Sequence, residues 1–216
     1  MKIAILGGTG HFGKGVALRW CKDHEIIIGS REGKKASDAA EQFSGELPFP
    51  PLHPILGMTN QEAASHAAVA VLSLRFHHLV PFLEEWASIF AHKIVITPVV
   101  PLLKKEIFQY AAPPEGSAAL AIQRLLPNTC QVVAALHTIP AADLRKLDKI
   151  LEGDVVVCGD SGEAKGVVRK LVEEIKSLRV LDGGPLQTSA MVEPIVPLIL
   201  NLKQFSTKRD LQIKFI

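Results

Sequence analysis

The apolar run Ile3-Ala4-Ile5-Leu6 passes directly into Gly7-Gly8-Thr9-Gly10-His11-Phe12-Gly13, and this junction limits the possible folds more than any other stretch of the chain. It describes a buried strand that feeds a glycine turn, and the turn in turn opens a helix. Glycines there let the backbone approach a diphosphate closely. The helix start adds unpaired N–H groups and the positive end of its dipole. A Gly-x-Gly-x-x-Gly string alone is weak evidence, but here the strand before it and the helix after it are both present. The spacing predicts a helix over 13–21, with Val16, Ala17 and Trp20 on one side.

A second strand is expected over Glu25-Ile26-Ile27-Ile28-Gly29, a helix and a turn beyond the last glycine. The residues at its C-terminal end bear on which dinucleotide binds. An NAD site usually ends this strand with a carboxylate that accepts from the ribose 2′-hydroxyl. This chain has Ser30-Arg31, with Lys34 and Lys35 close behind. A carboxylate would repel a 2′-phosphate, whereas a guanidinium grips one and a hydroxyl donates to it, so the pattern favours NADP. The plainer alternative makes these residues the solvated start of the next helix.

Further along, apolar strands alternate with helical lengths. Strands are expected at Ala68–Ser73 and Lys93–Thr97, and helices at Lys34–Phe43, Gln61–His66 and Leu79–Phe90. Between Ser44 and Asn60, Pro48, Pro50, Pro51 and Pro54 force an irregular excursion, with a short strand near Ile55-Leu56. Short continuous apolar strands of this kind belong to a parallel sheet covered on both faces. After Pro98 the expectations are a helix from Ser117 to Leu126, a strand at Gln131–Leu136, strands at Asp154–Gly159 and Arg179–Asp182, and a helix from Ser161 to Ile175. A final apolar helix runs from Ser189 to Phe205, either completing the core or forming a homodimer seam. The fold class is therefore α/β, a Rossmann-type doubly wound parallel sheet. Residues 1–136 form a nucleotide-binding domain, and 137–216 a smaller C-terminal α/β domain on the substrate side.

Several function classes are disfavoured. A net charge of +2 on 216 residues, with no basic cluster interleaved with aromatics, gives no sign of nucleic-acid binding. No apolar run reaches the ~18–20 residues of a membrane span. Cys21, Cys130 and Cys158 are isolated, which suits a reducing compartment, and the chain reads as soluble and cytoplasmic. Adjacent His77 and His78 do not face one direction on a helix, and no metal site is expected. The sole tyrosine, Tyr110, precedes Ala-Ala-Pro-Pro, so the Tyr-x-x-x-Lys pair of short-chain reductases is missing. Ser161 lacks the glycine two residues before it that a nucleophile elbow requires, and it reads as a helix cap. His137 stands at the end of a strand, on the rim where open α/β sheets place ligands. It either faces a nicotinamide or satisfies a backbone carbonyl. Val99 and Val100, in the Thr97–Pro101 loop that ends another strand on that rim, would wall off water beside a nicotinamide.

Four segments occur in order: Gly7-Gly8-Thr9-Gly10-x-x-Gly13-Lys14-Gly15, Gly29-Ser30-Arg31, Ala135-Leu136-His137-Thr138-Ile139-Pro140-Ala141 and Pro197-Leu198-Ile199-Leu200-Asn201. Together they resemble the NADPH-dependent deazaflavin reductases, the F420H2:NADP+ oxidoreductase family, whose fold is also similar to the cytosolic domain of certain metalloreductases. The resemblance spans essentially the whole chain. It implies NADP as cofactor and the deazaflavin coenzyme F420 as its redox partner, with a homo-oligomeric assembly expected. It places the turn residues Gly8, Thr9, Gly10, His11, Phe12 and Gly13 at the pyrophosphate, and Ser30, Arg31 and Lys35 at the 2′-phosphate. It also puts Leu74, His78, Val100 and Ala141 near NADP. His137, Ile139 and Leu211 would line the place where nicotinamide and deazaflavin stack, with His137 orienting the deazaflavin and Ile139 setting the ring separation. Two departures stand out: Arg75, where a small residue or proline is expected, and the long proline-rich loop from Glu46 to Pro54. The basic residues Lys203, Lys208, Arg209 and Lys214 are either an attraction for the coenzyme's anionic tail or a solvated surface. Three rival readings remain: an NADP-dependent reductase of a small imine or ketone, a domain that passes hydride to an ordinary flavin, and a non-catalytic NADPH sensor.

Overall fold

The computed structural model describes residues 1–207 and 211–216. β1 (Lys2–Leu6) enters the glycine turn and α1 (His11–Trp20), and β2 (Glu25–Ser30) leads to α2 (Gly33–Gly45). β3 (Leu56–Thr59) passes into α3 (Asn60–His66), whose start is fixed by a reciprocal Thr59–Glu62 capping box. β4 (Val69–Leu72) is followed by α4 (Phe76–Trp86), and β5 (Ile94–Thr97) by an antiparallel hairpin of β6 (Leu102–Lys104) and β7 (Phe108–Tyr110). The chain continues through α5 (Ala118–Leu125), β8 (Gln131–Ala134), α6 (Ala141–Leu144) and β9 (Asp154–Gly159). It ends with α7 (Gly162–Glu173), β10 (Arg179–Asp182), α8 (Ser189–Val192) and α9 (Ile195–Phe205). The Ser117 and Ser161 hydroxyls cap α5 and α7 by accepting from Leu120 N and Ala164 N.

Eight strands form one sheet in the order β10-β9-β8-β5-β4-β1-β2-β3. β1 to β5 and β8 are parallel, as the apolar runs require. Alternate residues of each strand face opposite sides. Ile3, Ile5 and Ile28 meet Val16, Trp20 and Leu171 on one face, whereas Ala4, Leu6 and Leu72 meet Leu79, Leu83 and Ile122 on the other.

Three features differ from the sequence expectation. First, β9 runs antiparallel to β8, with Ala134 opposite Cys158, and β10 lies parallel to β9, so the sheet is mostly and not wholly parallel. An apolar run such as Asp154–Gly159 has the same pattern in either direction. β9 and β10 thus extend the sheet begun by the first half of the chain. Second, the helix expected over Ser189–Phe205 is split. Glu193 is fully buried at the break and accepts hydrogen bonds from Ala118 N (2.8 Å), Ala119 N (3.1 Å) and Tyr110 Oη (2.8 Å). Pro194, with no N–H, follows it. The two backbone donors come from the first turn of α5, where a carboxylate is favourable. Third, the expected 79–90 helix begins at Phe76 and closes with a 3-10 turn at Ala87–Phe90. Among the described residues, no helix is long and apolar enough to cross a membrane and no group of side chains could hold a metal ion.

Candidate functional site

Gly7 adopts φ +71°, a left-handed conformation open to glycine at little cost, and so turns the chain across the sheet end. Its N–H donates to Asn60 Oδ1 at 3.0 Å, and Gly8 N–H bonds Gly29 O at 2.9 Å. A Cβ on Gly13 would stand 2.5 Å from Gly8 Cα, so helix and turn touch backbone to backbone. His11, Phe12 and Gly13 form the first turn of α1, which contains no acidic residue and has no side-chain cap. Its N–H groups therefore remain available to an anion.

Beside this turn lies a first cleft of about 460 Å³. It gathers Thr9 and Gly10 from the turn, Ser30, Arg31 and Lys35 from the end of β2 and the start of α2, and Leu74 and His78 from the β4–α4 connection. Arg31 and Lys35 are exposed and have no ion pair among the described residues. His78 is held below its usual pKa, first by the neighbouring His77, then by desolvation and by Arg31 and Arg75. Cations that suppress a histidine's charge mark a positive local field. Glu32 and Glu85 also line this cleft. Gly8 is buried beneath it, packed on Ile5 and Ile28.

The residues expected at the nicotinamide end fall into separate clefts. Val100 lines a second cleft of about 580 Å³, between the β4–α4 connection and the hairpin. His137, Ile139 and Ala141 line a third of about 240 Å³, closed by Val196, Ile199 and Leu200 of α9. Leu211 is half-buried and lines none of the three. Of the basic residues near the C-terminus, Lys203 borders the third cleft and Lys214 lies 4.0 Å from Glu152, whereas Lys208 and Arg209 lie outside the described residues.

Leu136 precedes the third cleft with φ +66°, an uncommon and strained conformation for a leucine. It tips His137 off the end of β8. Both ring nitrogens of His137 are buried without a hydrogen-bond partner, and burial pushes its pKa down to about 4. At neutral pH the ring is therefore uncharged and offers one unused donor and one unused acceptor. The plainer expectation, that it satisfies a backbone carbonyl, is not met.

Behind this segment, the guanidinium of Arg19 on α1 donates to five carbonyls, those of Asp143, Leu144, Lys146, Leu147 and Lys149. Leu144 also presses on Gly15, where an added Cβ would come within 2.5 Å. The helix that starts at the glycine turn thus clamps the loop beyond His137. Neither Asn60 nor Arg19 stood out in the sequence. Each acts on backbone atoms, and such partners carry no local motif.

A doubly wound α/β sheet with a glycine turn and a cationic cleft at its rim defines a dinucleotide-binding protein. The profile of the family described as NADP oxidoreductase, coenzyme F420-dependent, matches residues 2–101. The F420-dependent NADP reductase of Methanocaldococcus jannaschii is 37% identical over 206 residues, 94% of this chain and 92% of that protein. That of Methanothermobacter thermautotrophicus is 33% identical over 219 residues, 99% of this chain and 94% of its own. The crystal structure of a candidate F420-dependent NADP reductase from Arthrobacter sp. FB24 aligns with a TM-score of 0.84 at 26% identity, covering 100% of this chain and 99% of that one. The chain belongs to the F420-dependent NADP oxidoreductase family.

Proposed function

We propose that the protein transfers hydride reversibly between NADP(H) and coenzyme F420, with the nicotinamide and deazaflavin rings stacked face to face. The observation that carries this reading is His137: a neutral imidazole whose two ring nitrogens are buried without a hydrogen-bond partner, beside the third cleft. The residues present fit both coenzymes. Ser30, Arg31 and Lys35 hold the 2′-phosphate, Gly8 to Gly13 receive the pyrophosphate, and Leu74 and His78 flank the nucleotide. The bound coenzymes supply a hydride donor and acceptor at nicotinamide C4 and deazaflavin C5. His137 would hydrogen-bond the polar edge of the deazaflavin, Ile139 would set the ring separation, and Ala141 would help close the same cleft to water, whereas Val100 would act from the second cleft and Leu211 from outside the clefts. Alignment and water exclusion supply much of the rate, and no titrating acid is required at the rings.

In this reading residues 1–136 bind NADP, and 137–216 complete the deazaflavin side. The exposed apolar residues Met191, Leu198, Leu202 and Phe205 support pairing of two copies of the chain. Three buried free cysteines fit a reducing cytoplasm.

A spectrophotometric assay that follows the deazaflavin chromophore tests the proposal. Turnover is expected with NADP(H) and much less with NAD(H), and with F420 in preference to FMN. Tight NADPH binding without turnover of any deazaflavin, flavin or ferric chelate would instead identify a nucleotide sensor.

A further inference from the structure

We propose that Asn60 is a specificity-determining residue of the first cleft, its amide nitrogen donating to the 2′-phosphate of NADP while its amide oxygen holds the glycine turn. This rests on the NADP assignment above and deepens it. Asn60 opens α3 directly beyond β3, and its neighbour Thr59 stands in register opposite Ser30. The residue is only 5% exposed, yet it lines the first cleft together with Gly7, Ser30, Arg31 and Lys35. Its side chain crosses the end of β2. A Cβ on Gly29 would meet Asn60 Oδ1 at 2.7 Å and Asn60 Cα at 3.3 Å, so glycine leaves the room that the amide takes.

The two ends of the amide are used unequally. Oδ1 accepts from Gly7 N–H at 3.0 Å, and that donor fixes which end is the oxygen. Nδ2 has no partner among the described residues and, unlike the ring nitrogens of His137, is not sealed from solvent. The hydroxyl of Ser30, a residue 7% exposed, is likewise without a partner among the described residues. Two uncharged donors thus lie in the buried floor of the cleft, and the exposed cations Arg31 and Lys35 stand over it. A phosphate offers Nδ2 a charge-assisted hydrogen bond, whereas a ribose 2′-hydroxyl offers a neutral acceptor and a bond about half as strong. The amide therefore favours NADP over NAD. Because one amide makes both contacts, a phosphate on Nδ2 polarises Oδ1 and tightens its hold on the turn.

The test is a calorimetric titration of the intact protein at about pH 8, where an introduced carboxyl is ionised. The probes are adenosine 2′,5′-bisphosphate and adenosine 5′-phosphate, which differ only in the 2′-phosphate. Asn60→Asp keeps an acceptor for Gly7 N–H and removes the donor. It is expected to weaken the bisphosphate about thirtyfold and the monophosphate less than about threefold. Asn60→Ala adds no charge, and there the bisphosphate should lose about tenfold more affinity than the monophosphate. Equal losses for the two nucleotides in Asn60→Ala, or unchanged bisphosphate affinity in Asn60→Asp, overturn the proposal and leave Asn60 as a support for the turn alone. Neither probe carries a nicotinamide or a deazaflavin, so failure of the hydride-transfer assay leaves this result standing. A wild type with no preference for the bisphosphate overturns the NADP assignment of the first cleft and this proposal together.

Discussion

Gly7 and Leu136 take the same left-handed backbone turn, at φ +71° and +66°, at the ends of two parallel strands of one sheet. The glycine does so freely, whereas the leucine is strained by about 1–2 kcal/mol. Around Gly7 the polar groups are already matched: its N–H meets Asn60, and Gly8 meets Gly29. Beyond Leu136 they are not, for His137 has two buried nitrogens without partners. On the nucleotide side the turn's own backbone is matched, and what stays open lies at the cleft, including the start of α1 and the exposed Arg31 and Lys35 side chains. The other side holds an unusual conformation by packing, with Leu136 1% exposed and the next loop gripped by Arg19. Unmatched polarity that survives in a well-packed region points to a ligand that supplies the match.

The sharpest way to break this contrast is Gly13→Val. The added side chain would drive α1 off the turn, so a loss of about 3 kcal/mol or more and loss of NADPH stabilisation are expected in thermal unfolding with and without nucleotide. Unchanged melting would show that the nucleotide side is softer than its contacts indicate. Arg31→Ala should raise the NADPH dissociation constant about thirtyfold while hardly touching NADH, because only the former loses a charge-assisted pair. Fluorescence titration of both nucleotides checks this.

On the other side, His137→Ala should slow hydride transfer to or from the deazaflavin about tenfold, with NADPH affinity within about twofold of wild type. If neither deazaflavin affinity nor rate changed, His137 would have no role there. The smallest effect concerns acid stability. The His137 pKa is about 4 when folded, against an ordinary 6.5, so the unfolded chain binds more protons between those values. Stability therefore falls as pH drops through that window. His137→Phe should flatten the slope in chemical denaturation between pH 6.5 and 4.5.

Strands β1, β2, β4, β5 and β8 were legible because buried parallel strands are short apolar runs separated by helical lengths. The direction of β9 was not, since its composition is independent of its orientation. The hairpin at Leu102–Tyr110 was also missed: at three residues a strand, with a Lys105-Glu106-Ile107 tip, it shows no alternation. At the site, the turn and Ser30-Arg31 declared themselves through residue type. The position of His137 was readable, but the burial of its ring was not, because that depends on α9, remote in sequence. Likewise, sequence order gave no warning that Val100 and His137 would line different clefts.

The reversal of β9 leaves only its last residues paired with β8, so its first residues project past the rim. There Asp154 N–H bonds Ile213 O at 2.8 Å, Phe215 N–H bonds the Asp154 carboxylate at 2.6 Å, and Ile139 lies close by Gly153. Those two amides tie the last residues of the chain to the sheet edge. Their exchange with solvent deuterium should speed up in Asp154→Asn, which weakens the charge-assisted half of this tie, so that the fastening of the chain's last residues can be read amide by amide.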